Sequence, residues 1–362
     1  MFKNYYSVGE DTFINKNLAI VKAGGDLSKI KLHFDEDKWN NVDWSIEPDK
    51  TWQELCLERA LELREKYSYL ALWYSGGYDS HTILLTFIKN NIPLDELVIF
   101  ERNNAYIDRG NLYAQQTAKW VKEKHYPDLK INIIEYTLND TNNLYKKWGT
   151  EWIWQNIGST TRFSKTNRSY LFGYDHIMSN INKKHHRGDI LGHEKCKVYF
   201  YDNCWYTFFT DSSLADFNNE HHEDFFYSPE LYKKQVYNTI SWFESLPDFD
   251  PEIVHDVQGR DRKIDGNYVK YYAQWNIAMG RYPLDPIDTD SINGMQKFFF
   301  TEDFNSPDSK KILTHLQNSD KQIYNIYMNG YKKLETILGQ FNLSINPTIL
   351  SKSYYIRQAN LA

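Results

Sequence analysis

The stretch that decides the fold is Tyr69-Leu70-Ala71-Leu72-Trp73-Tyr74, which runs directly into Ser75-Gly76-Gly77-Tyr78-Asp79-Ser80. The first six residues are a continuous apolar run of strand length, as expected of a strand buried on both faces of a parallel sheet. The next six are small or polar and open the segment Asp79–Asn90, where Ile83, Leu84, Phe87 and Ile88 form a helical stripe. A strand that turns through glycines into an amphipathic helix is a βα unit. Open sheets built from such units bind ligands beyond the carboxyl ends of their strands.

The chemistry of the turn is specific. Gly76 and Gly77 let the backbone turn sharply and approach an anion with no side chain between. The amides that follow, at a helix N-terminus, form a cradle for phosphate oxygens. Ser75 and Ser80 add hydroxyl donors, and Tyr78 completes the loop. Asp79 is an odd residue for an anion site unless a cation bridges it to the phosphates, so a hard divalent ion such as Mg²⁺ is expected there. A bare Ser-Gly-Gly also suits an ordinary strand–helix turn capped by Asp79; the full string is far more specific. It is not a Walker A loop, because no lysine follows the glycines, nor a dinucleotide fingerprint, which needs a third glycine.

Working outward, Thr51-Trp52-Gln53-Glu54 is a capping box, and Cys56, Ala60, Leu63 and Tyr67 give the helix behind it one apolar face. Glu96–Glu101 and Lys130–Tyr136 read as the second and third strands, with a helix over 109–124 whose buried side carries Tyr113, Thr117, Trp120 and Val121. One or two helices are expected over 140–183, and Gly188–Gly192 is short enough to be a fourth strand. The expected class is therefore α/β, an open parallel sheet with helices on both faces. Residues 1–50 read as an extended arm or small hairpins, and 51–212 as the α/β domain. Lys197–Tyr201 and Cys204–Phe209 flank Asp202-Asn203, a good two-residue hairpin turn. Residues 213–362 read as a mostly helical region.

Composition narrows the class. At about 150 residues per domain, 362 residues allow two domains or one core domain with elaborations, and 41% hydrophobic residues suffice for a core. Mean hydropathy is −0.67 and apolar stretches are only a few residues long, so no membrane span is expected. Met1-Phe2-Lys3-Asn4-Tyr5 carries no signal-peptide core, and three cysteines cannot make a disulfide framework; both suit a reducing cytoplasm. A net charge of −6 disfavours a nucleic-acid grip through bulk charge. His185-His186 and His221-His222-Glu223-Asp224 contain ligand-type residues, but adjacent residues point apart. With no H-E-x-x-H or C-x-x-C, zinc is not expected. The run Lys183–Arg187 reads as a solvated loop or a small nucleic-acid or anion patch.

Ser75-Gly76-Gly77-Tyr78-Asp79-Ser80 resembles the PP-loop of the ATP pyrophosphatases, which include asparagine, NAD, GMP and tRNA-lysidine synthetases. The resemblance extends over roughly 68–195 in strand–helix order. Glu58-Arg59-Ala60 and Leu63-Arg64-Glu65-Lys66-Tyr67, with Asp95-Glu96 opening the second strand, also resemble phage-encoded asparagine-synthetase-like proteins, which would place the chain in a host cytoplasm. The resemblance implies a HUP-type fold and Mg²⁺-dependent cleavage of ATP to AMP and pyrophosphate. Residues 75–80 would then hold phosphate and Asp79 the metal. It carries adenosine contacts to Leu72, Phe100, Glu101 and Gly192. Lys195 reads either as a cation at the α-phosphorus or as a solvent-facing lysine before the hairpin. Arg260, Arg262, Lys263 and Lys270 are further candidate cations.

The implied activity is an ATP-dependent ligase or amidating enzyme that adenylates a carboxylate, amide or base, with ammonia or an amine as nucleophile. Glutamine-hydrolysing members carry a cysteine at position 2; here Phe2 stands there and 1–68 is too short for a glutaminase, so the expected nucleophile is free ammonia, a substrate amine, or ammonia from a separate partner. Sulfur transfer, through Cys196 and Cys204, and a non-catalytic nucleotide-binding protein remain as alternatives.

Overall fold

The computed structural model describes residues 4–103, 112–137, 186–192, 196–210, 222–247, 274–282, 321–343 and 349–360. It also describes 146, 149–151, 154–155, 249–250, 254, 317–318 and 347. Strands β1 (Asn4–Val8), β2 (Asp11–Phe13) and β3 (Ile30–Phe34) form an antiparallel sheet in the order β2-β1-β3. Between β2 and β3 lies α1 (Lys16–Lys22), capped by the Asn15 side chain, and α2 (Glu36–Trp39) is a single turn. Helix α3 (Trp52–Lys66) starts at the expected capping box: Thr51 Oγ1 accepts from the Glu54 amide, and Glu54 Oε2 accepts from the Thr51 amide at 2.8 Å.

The central unit follows as β4 (Tyr69–Trp73), α4 (Tyr78–Lys89), β5 (Glu96–Asn103), α5 (Leu112–Lys124), β6 (Lys130–Thr137) and β7 (Arg187–Leu191). After the hairpin β8 (Lys197–Tyr201) and β9 (Cys204–Phe208) come β10 (His222–Asp224), α6 (Pro229–Glu244), α7 (Lys321–Gly339) and β11 (Tyr354–Gln358). Five strands make one parallel sheet in the order β10-β7-β4-β5-β6. The chain leaves β4 toward β5 on one side, while β7 pairs with β4 on the other. The strand order therefore reverses at β4, and the carboxyl ends of β4 and β7 border the crevice where such sheets take ligands.

Helices α3, α4 and α5 cover one face of the sheet. Leu55, Ala60 and Leu63 of α3, Ile83, Leu84 and Phe87 of α4, and Ala114, Ala118 and Val121 of α5 share a core with Leu70, Leu72, Leu97, Ile99 and Ile190. Trp120, expected inside, is 43% exposed, because the inward stripe of α5 turns on the two alanines and Val121. The opposite face carries Ala71, Trp73, Val98, Ile134 and Leu191, and no described helix joins that cluster. Of the one or two helices expected over 140–183, residues 146, 149–151 and 154–155 are described and helical; the rest lie outside the described residues.

Three assignments differ from the sequence reading. The edge strand β10 comes from beyond residue 212, so the sheet extends past the expected boundary. Residues 4–34 do contain a small hairpin, β1–β2, one of the two expected forms, but they are not an extended arm: Tyr6, Ala19, Ile20 and Leu32 share a core with Tyr327, Leu334 and Leu338 of α7. The C-terminal region also contributes a strand, since β11 pairs with β9 in a third sheet, order β11-β9-β8. Each difference concerns a pairing partner distant in sequence, which local periodicity does not encode. The hairpin holds as expected, with Asp202 and Asn203 both at positive φ, as its two-residue turn requires. No helix among the described residues is long and apolar enough to cross a membrane.

Candidate active site

The loop Ser75–Gly77 joins β4 to α4 at the strand-order reversal. Tyr74 is still tied to the sheet, its amide donating to Val98 O at 2.8 Å. Gly76 then takes φ +72, a left-handed conformation, and a Cβ there would lie 2.9 Å from the Tyr113 ring of α5. Both features demand glycine. Gly77 is the N-cap of α4, and no side chain caps the helix. The first turn of α4 therefore presents its backbone N–H groups and positive dipole end to the crevice.

The two serines brace this turn. The Ser75 amide donates to Ser80 Oγ at 3.2 Å, the two hydroxyls lie 3.1 Å apart, and Ser80 Oγ also donates to Gly77 O at 3.3 Å. Ser80 is buried whereas Ser75 is exposed, so Ser75 faces solvent and Ser80 shapes the loop from beneath. Tyr78 opens the helix and is half-buried. Below the loop the Tyr74 hydroxyl meets His81 Nδ1 at 3.1 Å, and burial pushes the Tyr74 pKa upward, which keeps the phenol neutral.

Gly192 follows β7 directly across the reversal from the loop. A Cβ there would run into the Ile83 side chain and come within 3.5 Å of the Asp79 carbonyl carbon. The structure thus brings Gly192 against the first turns of α4, some 110 residues earlier in the chain. Leu72 is wholly buried among α3, α4 and the neighbouring strands, and its side chain serves the core. Phe100 and Glu101 lie in β5, opposite Ile134 and Glu135 of β6. The strand runs on to Asn103, whereas the β4 pairing ends at Trp73–Val98, so the end of β5 stands beyond the loop. The Phe100 and Glu101 side chains fall outside the described residues, as do Lys195, Arg260, Arg262, Lys263 and Lys270.

Asp79 has a partner that the sequence reading did not name. Its Oδ1 accepts from Arg281 Nε at 2.6 Å, and its side chain is only 14% exposed. Arg281 is 2% exposed, donates to Gln235 Oε1 of α6 at 2.9 Å, and stacks its guanidinium 3.6 Å over the Phe226 ring. The placement follows from a helix terminus. The helical turn over 274–278 ends with Gly280 at φ +99, where the Gly280 amide donates to Ile277 O and the Arg281 amide to Asn276 O. That is a Schellman motif, and it turns the chain back toward α4. A Cβ on Gly280 would enter the Trp52 indole. The one local signal for this was Met279-Gly280-Arg281, a glycine placed to end a helix.

Other candidates resolve into structural roles. Arg187, read as part of a solvated basic run, is buried between Glu96 and Asp189. Glu223 of the histidine-rich string accepts from Arg59, Lys66 and Tyr67, while His186 stacks on Tyr67. His185 and His221 lie outside the described residues. Burial pushes the Cys196 thiol up to about 11 and Cys56 to about 12, so neither supplies a thiolate near neutral pH.

The loop suits a bound phosphate or other anion: a glycine held at positive φ, an uncapped helix N-terminus and an exposed serine lie together at the end of β4. For Mg²⁺ the fit is narrower. No group of three or more metal-ligating side chains occurs among the described residues, and Asp79 is the carboxylate at the loop, with one oxygen engaged by Arg281. That suits an ion that takes most of its oxygen ligands from phosphates and water and one or two carboxylates from protein. The chain matches no family model, no curated protein and no solved structure.

Proposed function

We propose that this chain is an ATP pyrophosphatase of the PP-loop kind, on a HUP-type sheet, acting as an ATP-dependent ligase or amidating enzyme. The observation that carries the reading is the loop Ser75–Ser80 itself, with Gly76 at φ +72, placed where the strand order reverses and opening an uncapped helix. In this reading the amides of Gly77 and the first turn of α4, with Ser75, hold the phosphates that leave as pyrophosphate. An acceptor carboxylate or amide oxygen attacks the α-phosphorus, the α–β bridging bond breaks, and ammonia or an amine then displaces AMP. Asp79 is the carboxylate that would hold Mg²⁺, which when bound would offset the charge of the phosphates. The end of β5 and Gly192 border the adenosine side. The ammonia arrives free, as a substrate amine, or from a separate protein.

The sulfur-transfer alternative needs Cys196 and Cys204 together, and Cys196 is buried with a raised pKa while Cys204 is half-buried. The test is incubation of α-labelled ATP and Mg²⁺ with a panel of carboxylates, amides and nucleobases, with and without ammonia. AMP and pyrophosphate are expected, and turnover should persist when Cys196 and Cys204 are replaced by serine. ADP and phosphate as products would sink the PP-loop assignment. Binding without cleavage across the panel would leave a nucleotide-binding protein that does no chemistry.

A further inference from the structure

A carboxylate in the first turn of α4 repels any phosphate bound at the same helix end unless a cation stands beside it. In this protein Arg281 stands there. We infer that Arg281 is a positioning residue for the nucleotide loop: delivered by residues 274–282, its guanidinium holds the Asp79 carboxylate in place and offsets its charge beside the loop. This deepens the nucleotide reading above and rests on it.

The geometry leaves Arg281 little freedom. Its Nε bonds Asp79 Oδ1 at 2.6 Å, a second nitrogen bonds Gln235 at 2.9 Å, and the guanidinium plane is stacked on Phe226 with Trp52 nearby. A lysine offers neither the fork nor the stacking plane. The arginine is delivered by the Schellman turn at Gly280, whose close approach to Trp52 admits no side chain. A second tie lies one residue on, where the Tyr282 amide donates to Thr82 Oγ1 at 2.9 Å. The segment itself is anchored by Trp275 Nε1 on Thr239 and by Met279 against Cys196. Residues 200 positions apart in sequence thus meet at one turn of α4. Since Asp79 and Arg281 are held side by side with little exposure, losing one leaves the other as an uncompensated charge beside the loop.

The test compares wild type with Arg281→Gln, Arg281→Lys, Asp79→Asn, the double variant Asp79→Asn/Arg281→Gln, and Thr82→Val. Hydrogen exchange of amides 75–82 is read on the free protein. ATP affinity is read by equilibrium dialysis, with Mg²⁺ and in EDTA. Arg281→Gln is expected to speed exchange across 75–82 and to weaken Mg·ATP binding about tenfold, with the double variant no weaker than the worse single one, as for two groups that act as a unit. Arg281→Lys, the milder change, should recover part of the affinity. Thr82→Val loosens the same segment without touching the carboxylate, and should leave affinity within about twofold of wild type. Unchanged exchange and affinity in Arg281→Gln would overturn the inference. So would additive losses in the double variant, or an equal loss in Thr82→Val, which would show docking alone to matter. Failure of the wild type to bind ATP at all would instead remove the nucleotide reading, and the exchange data would still decide whether Arg281 holds the loop.

Discussion

Gly76 concentrates the demands of the site at one residue. Its φ of +72 and its contact with the Tyr113 ring exclude a side chain on two separate grounds, conformational and steric. Gly76→Ala is expected to cost about 1–3 kcal/mol of stability through backbone strain, read as a lower denaturant midpoint with unchanged m-value. Its larger effect should be on the nucleotide affinity proposed for the loop, because the strain is relieved by opening the loop at the start of α4. The glycine pair was legible in sequence as a turn. The reason Gly76 must be glycine was not, since Tyr113 comes from another helix. Asp79 teaches the same lesson: the sequence shows a carboxylate that needs a cation, and Arg281, which meets it, is visible only in the fold.

At the scale of elements, the sheet is pinned at the amino ends of its strands by ion pairs. Glu96 at the start of β5 accepts from Arg187, Tyr69 and Asn132, while Asp189 of β7 accepts from Arg187 and Trp73. The register explains the meeting, because Ala71 of β4 lies opposite both Glu96 and Asp189 on one face. Arg187→Met is expected to cost about 3–5 kcal/mol by stranding two buried carboxylates, measured by denaturant unfolding. Burial alone raises the Glu96 pKa, but the Arg187 charge and the bonds from Arg187 and Asn132 bring it below the ordinary value. Glu223 behaves alike: burial is outweighed by Lys66, Tyr67 and Arg59. With folded pKa values below the unfolded value of about 4.3, both groups contribute stability that is complete above that pH. It is lost as pH falls through the lowered values. The unfolding midpoint of wild type should therefore drop steeply on acidification in that range, and less steeply in Glu223→Gln. The string Glu58–Tyr67 and Asp95-Glu96, which carried part of the family resemblance, is largely this clamp. Arg59 and Lys66 reach Glu223, and Arg64 reaches Asp95, which also accepts from the Leu70 amide.

Over the whole molecule, both ends of the described chain close on one another. The N-terminal sheet and α7 share a core, Lys16 Nζ donates to Pro347 O at 3.0 Å, and Leu32 bridges to Ser351. A separate core joins α2, α6, the β8–β9 hairpin and β11 around Trp39, Trp205, Phe209 and Tyr354. Leu334→Ala, deep in the terminal core, is expected to cost about 2–5 kcal/mol. Amide exchange in β1 and β3 should rise with it, while the amides of β4 and β5 stay protected. Equal loss of protection in the central sheet would show that the cores unfold as one unit.

Periodicity and turn chemistry, read along the chain, determined the parallel-strand runs, the capping box of α3, the Asp202-Asn203 hairpin and the glycine loop. Each is a local property: an alternation or a backbone angle set within a few residues. Tertiary structure alone decided that β10 closes the sheet, that the N-terminal segment packs on α7, and that Gly192 and Arg281 meet the first turns of α4. These depend on which apolar faces are buried together and which buried charges find partners. Such choices are made by the free energy of the whole packed chain, not by any stretch of it.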